Sequence, residues 1–321
     1  MSLTVAAELE AQLTCEDGTP ADTLHVLGGK SITFPNRPFA TVTPDAARCS
    51  VECATGICTS EAEVLHDLKF LRASIPPPYK VVYRTRIPVP AGLEHVPLAN
   101  KQRYDALIKG LRREAPTGWH NVYNVAACCS TQVHVGVDPL TVPGTSLLNF
   151  MNHIAPYAAL RVREMYGVRD ADGHSLIWSE FADARRFPAP RWFTSPDHLV
   201  AFVSKIPQVV KYEQGEWVTD LVTPTTIGDA GSEGTIWWHA RPRGQYKTIE
   251  FRPFPSLRPR HAAQLAGMVK ALAEAFLHES QGEGFANAME ARPIFTALHG
   301  KFPLVPARPF TDREWHHSNR L

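Results

Sequence analysis

This 321-residue chain has no uninterrupted apolar run long enough to span a membrane, and Glu8 and Glu10 interrupt what would have to be the apolar core of a signal peptide. Net charge is nearly absent: 33 basic side chains face 32 acidic ones, a formal +1, which gives no electrostatic reason to expect nucleic acid or an anionic membrane as partner. Paired C-x-x-C knuckles are missing, so the six cysteines do not read as a structural zinc site. The adjacent Cys128 and Cys129 would form a strained ring if bridged, and buried free thiols in a reducing cytosol are the simpler reading. There is no G-x-x-x-x-G-K-[ST] loop, no kinase-type glycine loop, no internal repeat and no low-complexity linker. A soluble, cytoplasmic chain folded as one α+β domain over residues 1–321 is the expectation.

What is present is a set of strands with one polar and one apolar face. In residues 2–14, Val5, Ala7, Leu9, Ala11 and Leu13 alternate with Glu8, Glu10 and Gln12. Residues 48–55 place Val51 and Cys53 opposite Ser50 and Glu52. Further on, Ser130, Gln132, His134, Gly136 and Asp138 share a face opposite Thr131, Val133, Val135 and Val137. A strand over 235–241 sets Thr235, Trp237, His239 and Arg241 against Ile236, Trp238 and Ala240. A hairpin through Pro242-Arg243-Gly244-Gln245, with the glycine available for a positive φ, leads to Thr248, Glu250 and Arg252 opposite Ile249 and Phe251.

Helical signals lie between these strands. Ser60 to Glu63 has capping-box spacing, and Pro76-Pro77-Pro78 ends the helix that follows. Residues 101–114 and 260–279 carry helical apolar stripes. So do residues 145–165, where Pro156 should kink or split the helix, and a helix starts at Ser195-Pro196-Asp197. Residues 228–234 read as a flexible loop, and the tail from residue 300 has no periodicity.

If the polar strands join one antiparallel sheet, Glu8, Glu10, Glu52, Gln132, His134, His239, Arg241, Glu250 and Arg252 converge on a floor left open by helices packed on the other side. Opposed carboxylates would cost up to about 1 kcal/mol per pair, which a divalent cation removes. Oxygen ligands with one imidazole suit Mg²⁺ or Mn²⁺, and such ions with two arginines are what phosphoryl transfer from a nucleotide needs. Taken singly, each residue has a plainer explanation: a solvated E-x-E edge, a hydrogen-bonded core histidine, surface ion pairs, packing tryptophans. The shared parity is what argues for a site.

These residues resemble the glutamate–cysteine ligase type 2 family, carboxylate–amine ligases of the glutamine-synthetase-like superfamily. The matching stretches are residues 6–13 (A-A-E-L-E-A-Q-L), 51–58 (V-E-C-A-T-G-I-C), 132–137 (Q-V-H-V-G-V), 237–242 (W-W-H-A-R-P) and 248–252 (T-I-E-F-R). The resemblance implies a curved antiparallel sheet with helices on its outer face and an open concave face of the glutamine synthetase/guanidino kinase type, ATP with Mg²⁺ or Mn²⁺, and an acyl-phosphate mechanism. It makes Glu8, Glu10, Glu52, His134 and Glu250 metal ligands. Arg241 and Arg252 become catalytic phosphate contacts, with Gln132 and His239 beside the nucleotide. The function implied is an ATP-dependent ligase joining a carboxylate to an amine on an amino acid or peptide. A true glutamate–cysteine ligase, a phosphagen-type kinase and a non-catalytic nucleotide-binding relative are the alternatives. Ala6 stands where the family has glycine, Pro253-Phe254-Pro255 where it has an acid, and residues 156–191 match poorly. From charge alone, Arg161, Arg163, Arg185 or Arg186 would hold a second substrate carboxylate; the expected partners are small molecules, with a homo-oligomer left open.

Overall fold

A computed structural model describes residues 2–87, 89, 101–114, 128–167, 186, 191–228, 233–281, 283–285, 288–298 and 301–302. Strand β1 (Val5–Thr14) forms the middle of an antiparallel sheet. On one side lie β4 (Ser50–Ala54), β3 (Thr41–Pro44) and the short β2 (Ile32–Thr33); on the other lie β6 (Ser130–Val135), β10 (Thr248–Pro255) and β9 (Ala240–Arg243). A three-residue strand, β5 (Lys80–Val82), pairs with the far end of β1. The apolar parity of β1 is realised: Val5, Ala7, Leu9, Ala11 and Leu13 are buried in the main core.

Three helices cover that apolar face. Helix α2 (Glu61–Ser74) packs on β1, β4 and α6 (Pro259–Glu279); α6 lies on β1 and β6, and α4 (Val142–Tyr166) on β9 and β10. Phe150 of α4 stacks on Phe276 of α6 at 4.3 Å, and Phe251 meets Phe254 edge-on at 5.0 Å. Each fully buried phenylalanine contributes roughly 1.5–3 kcal/mol relative to an exposed one. The α2 start is a capping arrangement in which Ser60 Oγ accepts from Glu63 N, while the Glu63 carboxylate accepts from Thr59 N. Helix α4 begins at the Thr141 cap and ends at left-handed Gly167. Pro156 neither ends nor divides it: its ring is exposed, and the buried residues before it hold the helix together.

A second, smaller layer lies on the polar side. Helix α3 (Lys101–Glu114) packs on a hairpin of β7 (Val210–Glu213) and β8 (Glu216–Thr219), and Ala106, Leu111, Val209, Val210 and Trp237 form a separate cluster there. Fully buried Arg186 fastens this layer. It donates to the Glu114 carboxylate (2.5 and 2.9 Å), to the Thr235 carbonyl (3.2 Å) and to the Pro207 carbonyl (2.5 Å). The remaining described helices are α1 (Thr23–Leu27), α5 (Pro196–Val203) and α7 (Ala288–Leu298). None of the described helices is long and apolar enough to cross a membrane.

The expected strand over 235–241 is displaced. Glu233–Thr235 is a 3-10 turn and pairing begins only at Ala240, because Trp237 is drawn into the α3 cluster while Trp238 stacks on Phe193 in the main core. The hairpin moves with it: Arg243 is still in the strand, and the left-handed residue is Lys247 (φ 51°), not Gly244. Gly244 is required for closeness instead, since a Cβ there would stand 2.7 Å from Ile227 Cγ2 and 2.8 Å from Gly228 N. Residues 121–127 lie outside the described residues, as do Arg185 and most of the tail. All six cysteines are free, five of them buried.

Candidate functional site

The register stacks the polar residues in transverse rows. Across the first row run Ala6, His134, Glu250 and Arg241; across the next, Glu8 faces Gln132 on one side and Ala54 on the other; across the third, Glu10 lies directly opposite Glu52. A bulge in β10 leaves one extra residue between the Phe251–Val133 and Phe254–Thr131 pairs. It keeps both phenylalanines in the core and leaves Arg252 reaching across to Gln132.

Two groups of potential ligands result. In the first, ligand atoms of Glu8, His134 and Glu250 lie within 4.8 Å of one another; in the second, those of Glu10, Asp45 and Glu52 do. Gln132 joins the groups, donating to Glu10 Oε1 at 2.7 Å and accepting from Arg252 Nη1 at 2.7 Å. The five carboxylate and imidazole residues read from sequence are thus together, divided between two adjoining sites.

The two groups differ electrically. Burial, followed by the charge of Asp45, pushes the Glu10 carboxyl well above the usual range. Glu52 is raised by burial and then by Glu8, Asp45, Glu10 and Glu250, and burial lifts Asp45 to about 6. This group carries more negative charge than its surroundings neutralise. The other group is compensated. Burial alone would raise Glu250, but Arg241, Arg252 and Arg243 hold it well below the usual range. Arg241 grips it through Nε and Nη2 at 2.6 and 3.0 Å, Arg252 donates to Oε1, and Arg243 Nη1 lies 3.3 Å from Oε2. Arg241 also donates to the Gly234 and Ile236 carbonyls, at 3.0 Å each. Burial raises Glu8 too, yet the adjacent His134 outweighs it.

The donor set fits hard divalent cations. The Glu10–Asp45–Glu52 oxygens converge, among the described residues no basic side chain is ion-paired with them, and such ions take carboxylates readily. His134 Nε2 is buried without a hydrogen bond and lies 3.2 Å from Glu8 Oε1, while Thr248 Oγ1 fixes the ring through Nδ1 at 3.2 Å. A histidine oriented through its second nitrogen is the usual preparation of a metal ligand.

Other expected residues sit differently. The His239 ring is largely buried, which lowers its pKa to about 4, and its carbonyl accepts from Arg252 N at 2.7 Å; it belongs to neither ligand group. Arg161 and Arg163 lie on α4, beyond the apolar face, and Arg161 pairs with Glu164 at 2.6 Å. Arg186 is committed to Glu114. Arg161 and Arg163 lie away from the carboxylate floor because charge alone does not say on which side of the sheet a helix lies, whereas Arg186, in the layer on the polar side, is spent on Glu114.

Three residues near the site escaped the sequence reading. Asp45 follows the last residue of β3, where strand parity gives no guidance. Arg243 shares the parity of Arg241, a signal that a hairpin placed two residues too early concealed. Tyr104 of α3 comes close enough to the second group that burial and the Asp45, Glu52 and Glu10 charges raise its phenol well above its usual value.

The fold and this floor define an α+β protein with carboxylates, a histidine and arginines gathered on one face of a curved antiparallel sheet. Two relatives give that class a particular setting. The chain is 25% identical over 282 residues to "Putative glutamate–cysteine ligase 2-1" of Rhodococcus jostii (strain RHA1), covering 84% of this chain and 67% of that protein. It is 27% identical over 285 residues to "Putative glutamate–cysteine ligase 2" of Acidovorax sp. (strain JS42), covering 86% and 68%. The resemblance to the glutamate–cysteine ligase type 2 proteins therefore extends over most of the chain. No family model matches the sequence. Among solved structures, a bifunctional glutathione synthetase from Pasteurella multocida aligns at a TM-score of 0.45 and 14% identity, covering 98% of this chain. The chain spans about half of that protein (47%), and a likeness this distant has no bearing on function.

Proposed function

We propose that this protein is an ATP-dependent carboxylate–amine ligase acting as one catalytic unit over residues 1–321 in the cytoplasm, with small amino acids or peptides as substrates. The observation that carries this reading is the pair of adjoining ligand groups, Glu8–His134–Glu250 and Glu10–Asp45–Glu52, flanked by Arg241, Arg243 and Arg252 on one sheet face. Those two groups are assigned to Mg²⁺ or Mn²⁺, which would neutralise phosphate oxygens and so favour transfer.

In the proposed reaction the γ-phosphoryl group of ATP passes to a substrate carboxylate, giving an acyl phosphate and ADP. An amine then attacks the acyl carbon, loses a proton and expels phosphate to leave an amide. Arg241 and Arg252 are assigned the charge developing on the transferred group, which planar guanidinium donors fit. Their present partner, Glu250, holds both in place. Gln132 couples Arg252 to Glu10, so the two ligand groups and the phosphate contact form one hydrogen-bonded unit.

The test is incubation with MgATP, a panel of amino acids and short peptides, and hydroxylamine. Hydroxamate formed with stoichiometric ADP is the expected result. A stable phosphorylated product would instead indicate a kinase, and AMP would overturn both.

A further inference from the structure

The sheet curls until turns from its two halves meet at one rim. Phe39, between β2 and β3, and Tyr246, between β9 and β10, lie 6.4 Å apart with their rings at 76°. Those turns belong to opposite ends of the seven-strand path. Both rings are exposed, Phe39 by 63% and Tyr246 by 48%, and Ile57 on the neighbouring loop by 60%. Single exposed hydrophobes are ordinary, but two aromatics brought together from turns about 200 residues apart are not.

The backbone beneath each ring is in an uncommon state. Phe39 has φ 72°, a genuine outlier for a bulky side chain, and Lys247, next to Tyr246, has φ 51°. Such conformations persist only where the surroundings impose them, and they concentrate at ligand clamps. The surroundings here are identifiable. Gly244 wedges against Ile227 and Gly228, and the Glu233 carboxylate accepts from Gly244 N and Gly228 N at 3.0 and 3.1 Å. The turn carrying Tyr246 is thereby fastened down while its ring stays in solvent.

Arg243 connects this rim to the floor. Its guanidinium carbon lies 5.3 Å from the Tyr246 ring centre, and its Nη1 lies 3.3 Å from Glu250 Oε2. A single side chain therefore spans from an exposed aromatic face to the group containing Glu8, His134 and Glu250. That group lies at the same end of the sheet, since Glu250 is two residues into β10 from Thr248.

We propose that Tyr246, backed by Arg243 and bordered by Phe39, is a stacking platform for the planar base of the nucleoside triphosphate. This rests on the ligase reading above and adds to it a direction: base at the rim, phosphates inward past Arg243. A flat, apolar-faced ring suits an aromatic face, and cation–π attraction to the Arg243 guanidinium helps to hold the Tyr246 ring in place. The charged ends of an amino acid or peptide find no such match there.

The experiment compares calorimetric binding of MgATP with that of magnesium tripolyphosphate, which keeps the phosphates and lacks the base. Tyr246→Ala is expected to weaken MgATP roughly 5- to 150-fold, the range for loss of one base stack, while leaving tripolyphosphate within about twofold. Tyr246→Trp should retain MgATP affinity, which separates stacking from a folding defect, and Phe39→Ala should weaken MgATP by less than Tyr246→Ala. Equal weakening of both ligands by Tyr246→Ala, or no change in either, would overturn the platform. Wild-type protein that binds tripolyphosphate as tightly as MgATP would overturn it while sparing the phosphate site. Protein that binds neither would overturn the ligase reading and the platform together.

Discussion

At the scale of single residues, the two ligand groups should respond to pH in opposite directions. Asp45 titrates at about 6 in the fold against 3.8 for an ordinary aspartate, and Glu10 and Glu52 are raised as well. A raised acid binds its proton more tightly when folded. Its contribution to stability is therefore full below about pH 4 and lost as pH climbs through about 6. Glu250, held below 4.5, contributes above that value and loses its contribution only as acid reaches its lowered folded value. Glu52→Gln should accordingly raise the metal-free melting temperature by about 2–4 °C at pH 7.5, on roughly 1 kcal/mol of relieved repulsion, and change it little at pH 4.5. Thermal denaturation at the two pH values checks this, and an equal shift at both would contradict it. Glu250→Gln should cost about 3–5 kcal/mol in urea denaturation, because it leaves buried guanidinium groups without their counter-charge. The shared sheet face of Glu8, Glu10, Glu52, His134 and Glu250 was readable in the sequence because side chains alternate strictly along a strand: a one-residue slip would have sent every acid into the apolar core. Asp45 was not, since it lies where that alternation stops.

Among elements, the strands with a clean period of two fall close to where they were expected, and the misplaced ones have identifiable causes. Thr235 to Trp238 alternates like a strand, yet its two tryptophans belong to different cores and its carbonyls serve Arg186 and Arg241. Tertiary demands outweigh local pattern there. The β7–β8 hairpin was overlooked although Gln214-Gly215 is a two-residue loop with both φ values positive, 51° and 89°, between segments rich in strand-forming residues. The turn joining β9 to β10 offers a test at this scale. Gly244→Ala introduces no backbone strain of its own but puts a methyl group against Ile227 and Gly228, so it should destabilise by about 1–3 kcal/mol. The denaturant midpoint measures this. An unchanged midpoint would mean that the turn is free to shift, and with it Arg243.

For the molecule as a whole, the sheet with its helical cover was legible and the layer on the polar side was not. That layer depends on long-range pairs, above all Arg186 with Glu114, whose meeting no local pattern announces. Arg186→Met alone should cost about 3–5 kcal/mol, while the double variant Arg186→Met, Glu114→Leu should recover much of it, since a buried pair can be replaced by packing but not halved. Urea denaturation of the three proteins decides this. The central claim is that acids from strands far apart in sequence hold shared cations at the floor of one bowl. Equilibrium titration with Mn²⁺, following free ion by electron paramagnetic resonance, tests it most directly. Two binding equivalents are expected, with one lost or strongly weakened in Glu52→Gln and the other in His134→Ala. Saturation curves unchanged by either substitution, or no binding at millimolar Mn²⁺, would contradict it.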